Sequence, residues 1–235
     1  MTGVPALVIA GPGTNRDRDL ALALAMAGAD PSIVLADQLV ADPTLLRDAR
    51  IVAVAGGFSY GDALGAGNML ALDLRVGVGE ALAEYVATGR PMIGICNGFQ
   101  VLTEAGLLPG ALQKNRGLKF LCTTVALRVE STASVLTSEA TVGDVLRVPI
   151  NHFEGNYTCA PDTLSALQAN DQIVLRYVDN PNGSIDDIAG ICSEGRNVVG
   201  LMPHPERAIS DLLGSADGVP LLRSLLASAS AAAAA

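Results

Sequence analysis

Short apolar runs alternate with longer stretches of helical period through the first half of the chain. Ala6-Leu7-Val8-Ile9-Ala10 is an unbroken apolar run that predicts a buried strand, ended by the turn residues Gly11-Pro12-Gly13-Thr14-Asn15. Asp17 to Gly28 has the spacing of an amphipathic helix. Ser32 to Leu35, Arg50 to Ala55 and Pro91 to Ile95 predict three further strands. Between the last two, Asn68 to Thr88 predicts one long helix interrupted around Gly77 and Gly79. The strands are apolar on both faces, as a parallel sheet covered by helices on each side requires. The fold class expected is α/β: a doubly wound, largely parallel sheet with flanking helices.

From about Gly117 the pattern changes. Leu121 to Val129, Val145 to Ile150, Ile173 to Val178 and Val198 to Met202 are strand-like, separated by turn clusters such as Asn180-Pro181-Asn182-Gly183. Only Asp162 to Ala169 reads as a helix there, so the C-terminal half is expected to be strand-rich and partly antiparallel. A last helix is predicted over Gly218 to Ala229. The expected organisation is a single domain over residues 1–226. The Ala-rich end, 227–235, is expected to be a frayed helix extension or a flexible tail.

Half of the 235 residues are hydrophobic, yet only 3% are aromatic and Trp is absent, so the core must be built mainly of Ala, Val, Leu and Ile. Fifteen Lys and Arg against 24 Asp and Glu leave a net charge of −9, the wrong sign for a nucleic-acid groove. The four cysteines contain no C-x-x-C pair, and His152 and His204 are the only histidines. Those numbers argue against a metal site and against a disulfide framework. Met1 to Pro5 lacks a basic n-region and no apolar run approaches the ~18 residues of a membrane span, so a cytoplasmic protein is expected. Gly11-Pro12-Gly13 does not fit a dinucleotide fingerprint and no phosphate-loop motif occurs, so the chain itself shows no nucleotide site.

Gly94-Ile95-Cys96-Asn97-Gly98 follows a predicted strand directly and opens a predicted helix over Asn97 to Ala105. A sharp strand-to-helix turn of this kind lifts a nucleophile clear of the sheet, and the flanking glycines let neighbouring backbone pass. The Cys96 sulfur then sits at a helix N-terminus, and the Asn97 N–H is free to stabilise an oxyanion. A thiol nucleophile needs a base. His204, in Met202-Pro203-His204-Pro205-Glu206, has a carboxylate two residues on that can orient its ring. His152, in Asn151-His152-Phe153-Glu154, has the same spacing to Glu154. Pro205 holds His204 extended and favours it only modestly, so spacing alone does not separate the two. A third glycine-rich element, Gly56-Gly57-Phe58-Ser59-Tyr60-Gly61-Asp62, follows the third strand and could bring backbone N–H groups close to a tetrahedral centre.

Strand–GICNG–helix, the upstream GGFSYGD loop and the downstream PHPERA segment together resemble the class I, triad-type glutamine amidotransferases. Gly94 to Leu102, Thr103 to Leu112, Pro181 to Ser184 and Gly200 to Ala208 look more narrowly like the glutaminase subunits of phosphoribosylformylglycinamidine synthases, and Gly11 to Asp17 is similar to the N-terminal loop of that family. The resemblance implies Cys96 as nucleophile, His204 as base and Glu206 as its orienter. It implies an oxyanion hole from the Gly57 and Asn97 N–H groups, with Gln100, Asn151, His152 and Phe153 beside the bound L-glutamine. Asn151 and Phe153 depart from the small residue and Gly usual around that histidine. Ala63 to Gly67 departs from an Arg-containing stretch, and Arg16 stands where Cys is common and is expected to be neutral. The implied partners are a large ATP-dependent synthetase subunit and a small third subunit. No cofactor is expected on this chain, with ATP and Mg2+ on the synthetase. Three other readings remain open at this point: the same chemistry serving another synthetase, another Cys-elbow enzyme, and a non-catalytic assembly subunit.

Overall fold

The computed structural model describes residues 3–232. In chain order its strands are β1 (Val4–Ala10), β2 (Ala29–Leu35), β3 (Ile51–Val54), β4 (Met92–Ile95), β5 (Ala111–Gln113) and β6 (Leu121–Val129), then β7 (Val145–His152), β8 (Asn156–Thr158), β9 (Ile173–Tyr177), β10 (Ile188–Cys192) and β11 (Val198–Leu201). The helices are α1 (Asp17–Ala27), α2 (Ala36–Ala41), α3 (Leu45–Asp48), α4 (Asn68–Ala87), α5 (Asn97–Glu104), α6 (Pro161–Ala169) and α7 (Val219–Ala231).

Nine strands form one sheet in the order β2-β1-β3-β4-β11-β10-β9-β6-β7, and β5 pairs with β8 in a small ribbon. The five strands from β2 to β11 run parallel, and the pairings from β11 through β7 are antiparallel. The α/β expectation, with a parallel first half and a partly antiparallel second, is what the chain forms. β3, β4 and β11 are buried along their whole length, as strands covered on both faces must be.

The differences from the sequence reading have local causes. β10 carries a glycine and a register irregularity at Gly190, which breaks the pattern of a strand of only five residues. α2 and α3 have six and four residues, too few to establish a helical period. The predicted break in the long helix appears as a kink, with Val78 at φ −139° inside α4. There a Cβ on Gly77 would lie 2.3 Å from Val40 Cγ2, so the glycine lets α2 lie against α4. The boundary expected at residue 226 falls inside α7, which continues to Ala231 with Ala229 buried. Residues 227–231 are therefore helix packed on the body, and 233–235 lie outside the described residues. Among the described residues no helix is long and apolar enough to cross a membrane.

Strand register positions the site. β4 pairs in parallel with β3 on one side and β11 on the other, with Ile95 opposite Leu201 and Gly94 opposite both Val54 and Gly200. The residues that leave these strands at their carboxyl ends, 55–57, 96–97 and 202–204, emerge side by side. Ligands of open α/β sheets collect at this edge.

α5 rests on β3 with almost no clearance: a Cβ on Gly98 would sit 2.0 Å from the Val54 carbonyl oxygen. Gly98→Ala is expected to lower the unfolding free energy by about 2–3 kcal/mol through overpacking. Gly79, inside α4 with nothing within 4 Å of its notional Cβ, is the control. Gly79→Ala should raise the unfolding free energy by about 0.5–1 kcal/mol, because alanine is the better helix former. Urea denaturation of both variants measures the two shifts and their opposite signs.

Candidate active site

Cys96 has φ 52° and ψ −107°, a left-handed conformation that a side-chain-bearing residue adopts only under constraint. Two things hold it there. Its N–H donates to the Leu201 carbonyl at 2.8 Å, prolonging the β4–β11 pairing by one step. Behind it, a Cβ on Gly94 would meet the Gly98 carbonyl oxygen at 2.5 Å, so the tight turn closes only over glycine. The result is a sulfur at the first turn of α5, 6% exposed and bordering a cavity of ≈ 260 Å³.

His204 reaches the same cavity from β11. A Cβ on Gly56 would lie 3.1 Å from His204 Cε1 and 3.5 Å from Cys96 Cβ, so both side chains crowd one glycine. His204 Nδ1 bonds Glu206 Oε1 at 2.6 Å, and both residues are buried. Pro205–Arg207 forms a 3-10 turn that folds the carboxylate back onto the ring, where the sequence reading expected extended chain. His204 Nε2 has no hydrogen-bond partner among the described residues and is the nitrogen left for the sulfur. Burial pulls the imidazole down, but the Glu206 carboxylate, and after it the Cys96 sulfur, outweigh that and carry it above its ordinary value. His204 is thereby disposed to hold a proton.

His152, with the same spacing to a glutamate, behaves differently. Its Nδ1 lies 3.1 Å from Asn115 Oδ1, and Glu154 turns away to accept from the Ala66 N–H at 3.3 Å. Asn115 donates its own amide to the carbonyls of Lys119 and His152, which fixes Oδ1 as an acceptor and makes His152 Nδ1 the protonated nitrogen. Nε2 then carries a lone pair, buried and unpartnered. Burial, and next the neighbouring His204 charge, lower His152 to about 4. A residue 37 positions away from His152 thus sets it apart from His204.

The Gly57 and Asn97 backbones border the cavity beside Cys96. Neither N–H donates to another group among the described residues, so both are available to an oxyanion. Gly57 has φ 102°, and a Cβ there would strike Asn15 Oδ1 at 2.4 Å. The segments that carry the two N–H groups are tied together by the Asn97 side chain, whose Oδ1 accepts from Ser59 N at 3.1 Å and Ser59 Oγ at 2.6 Å. Asn97 Nδ2 donates to Gln100 Oε1 at 2.9 Å, and Gln100 Nε2 donates to the Glu154 carbonyl. Gln100 therefore borders the cavity with both ends of its amide engaged. The Asn151 carbonyl oxygen lies 3.8 Å from Cys96 Sγ. Phe153 is half-buried on the cavity wall, with Lys114 Nζ 6.0 Å from its ring centroid. All nine residues singled out in the sequence are close to this cavity: eight line it, and Glu206 lies behind His204.

A family described as the CobB/CobQ-like glutamine amidotransferase domain matches residues 4–217 of the chain. The chain belongs to this amidotransferase family. It is 50% identical over 221 residues to the phosphoribosylformylglycinamidine synthase subunit PurQ of Cereibacter sphaeroides, covering 94% of this chain and 96% of the relative. The PurQ subunit of Rubrobacter xylanophilus is also 50% identical, over 222 residues, covering 94% and 97%. Among solved structures, a chain of PurLQS from Thermotoga maritima superposes with a TM-score of 0.85 at 39% identity, covering 96% of this chain and 99% of that one.

The amidotransferase cavity also holds residues that sequence reasoning gave no role. Asp62 and Glu154 both border it, from separate loops. Burial, then the Glu154 charge, raise Asp62 above the usual carboxylate range, while the Gly67 N–H and the Asn97 amide draw it partly back. Arg16 is on the wall as well, its N–H donating to the Gly56 carbonyl at 3.2 Å and its guanidinium paired with Asp19 at 3.0 Å. The two-residue spacing that marked Glu154 pointed to His152 and not to Asp62, which it meets only through the fold.

The two histidines of the amidotransferase are expected to titrate apart. The His152 ring proton resonance should hold its neutral position through pH 5 and move only near pH 4, measured by NMR on ring-labelled protein. Because the folded value lies below the unfolded 6.5, the unfolded chain takes the proton first. This group therefore costs stability as pH falls from 6.5 toward 4.

Proposed function

We infer that the chain is the glutaminase subunit of a phosphoribosylformylglycinamidine synthase: it hydrolyses L-glutamine and hands the ammonia to an ATP-dependent synthetase subunit in purine biosynthesis. The observation that carries the chemistry is the meeting of Cys96 and the Glu206-bound His204 at one cavity beside two free backbone N–H groups. The observation that carries the assignment to this synthase is the half-identity, over nearly the whole length, to PurQ subunits.

The Cys96 thiol gives its proton to His204 as the sulfur attacks the side-chain carbonyl carbon of glutamine, and the carbonyl oxygen becomes an oxyanion held by the Gly57 and Asn97 N–H groups. His204 holds a proton against its glutamate, and that proton goes to the amide nitrogen as the C–N bond breaks. Ammonia leaves and a γ-glutamyl thioester remains on Cys96. Water, deprotonated by His204, then splits the thioester and releases glutamate. Each oxygen, nitrogen and proton is accounted for without a cofactor on this chain.

Ammonia protonates readily in water, so its value depends on direct transfer to a second active site. The chain carries no nucleotide fingerprint of its own, which leaves ATP and Mg2+ to the large subunit, with the small third subunit completing the complex. The four free cysteines suit a reducing cytoplasm, where we place the complex.

In the assembled complex, Cys96→Ala is expected to reduce glutamine-dependent turnover by a factor on the order of 10³ or more while added ammonia still supports synthesis. Glu206→Gln should give a comparable fall in glutamine-dependent turnover, because the ring loses its anionic partner. Mass-spectrometric mapping after treatment with diazo-oxonorleucine should place the adduct on Cys96. Loss of both glutamine- and ammonia-dependent synthesis in an intact Cys96→Ala complex would count against the assignment.

A further inference from the structure

The segment that carries the Gly57 N–H is bent against its own preference. Gly57, Tyr60, Gly61 and Asp62 have φ of 102°, 54°, 62° and 53°, and Tyr60 and Asp62 bear side chains. Left-handed backbone at such residues costs free energy and persists only where the surroundings hold it. The turn is also tightly wound: the Ser59 N–H donates to the Gly57 carbonyl at 2.7 Å and the Gly61 N–H to the Phe58 carbonyl at 2.8 Å. Any relaxation at Tyr60 is therefore passed back to Gly57.

Two side chains fasten this turn to its neighbours. Ser59 is tied to Asn97 at the start of α5. Tyr60, which does not line the cavity, is tied to α4: its hydroxyl donates to Asp73 Oδ2 at 2.5 Å. Its backbone N–H donates to the Pro12 carbonyl at 2.5 Å, and a Cβ on Gly11 would lie 3.4 Å from Tyr60 Cε2, so ring and backbone are both packed against the loop after β1. Asp73 has no lysine, arginine or histidine nitrogen within 4.0 Å among the described residues, which leaves the phenol as its charge-assisted partner. That bond, and after it burial, pushes the phenol up to about 12, so the donor proton stays on Tyr60 at any pH near neutrality. The hydrolysis uses neither group.

We propose that Tyr60 and Asp73 are positioning residues for the oxyanion hole: their hydrogen bond clasps the 57–62 turn to α4 and keeps the Gly57 N–H aimed at the space beside Cys96. The proposal rests on the glutaminase reading and deepens it. The clasp does not reach the thiol, which β4, β11 and α5 hold independently. Its loss therefore weakens the stabilisation of the tetrahedral oxyanion and leaves the sulfur and its base in place.

The test uses the reconstituted complex. Tyr60→Phe removes the donor and Asp73→Ala the acceptor. Each should lower kcat for glutamine about five- to twentyfold with KM within about twofold, because the aimed N–H matters more to the transition state than to bound substrate. Alkylation of Cys96 by iodoacetamide, a displacement that forms no oxyanion, should keep its rate within about twofold. The double variant should fall no more than about twofold below the slower single one, since both changes remove one bond. Unchanged kcat in either assembled variant, an alkylation rate that falls in step with kcat, or losses that multiply in the double variant each overturn the proposal. Ammonia-dependent synthesis reports the folding and assembly of each variant. The two residues lie on different elements, so if one variant does not assemble the other decides, and failure of both assigns the bond to stability alone and overturns the proposal. Should the unmodified complex release no ammonia from glutamine at all, it is the glutaminase reading that fails, which keeps the two failures apart.

Discussion

The parallel pairing of β4 with β11 is the constraint on which the site depends. Its register, Gly94 opposite Gly200 and Ile95 opposite Leu201, fixes where the two strands end. One residue after Ile95 comes the thiol, and three after Leu201 comes the imidazole. Side chains are absent from both members of the Gly94–Gly200 pair because α5 lies across them. A Cβ on Gly200 would reach Phe99 Cδ2 at 2.0 Å, and one on Gly94 would reach Gly98. Close approach of helix to sheet is therefore what brings Cys96 to its height above the strands, and glycine is what permits the approach. A slip of one residue between these strands would turn every side chain to the other face and separate the two groups.

Burial of the His204–Glu206 pair sets the electrostatics. An ion pair out of water gains little net free energy, but deleting one member leaves the other stranded, typically at a cost of about 3–5 kcal/mol. The pair is thus a poor source of stability and a strong constraint on ring orientation. His152 illustrates the opposite solution. It too is buried with a glutamate two positions on, but a neutral amide fixes its tautomer and it stays uncharged. Two histidines of similar local sequence consequently enter the same cavity with different protonation.

Most of the architecture was legible because it is written locally. The apolar runs of β1, β3 and β4, the turn residues after them and the G-x-C-x-G elbow each carry their own signal, and the strands formed within a few residues of the expected ends. What was not legible came from short elements and distant partners. β10, with Gly190 at its bulge, and the short helices α2 and α3 lack the length to show a period. The choice between His204 and His152 turns on a 3-10 turn after one and on Asn115 beside the other, neither of which a two-residue spacing encodes. Asp62 and Glu154 are ordinary loop carboxylates in the sequence and become neighbours only when loops from opposite parts of the sheet converge.

The backbone of Cys96 is held by a main-chain hydrogen bond to Leu201 and by glycines on either side, and nothing in that support involves its sulfur. The elbow is thus a mount indifferent to the atom it carries: a hydroxyl or a selenol on the same Cβ would be delivered to the same point in space. Scaffold and reagent are separable here, so evolution or a chemist can exchange the reacting element without rebuilding the frame that aims it.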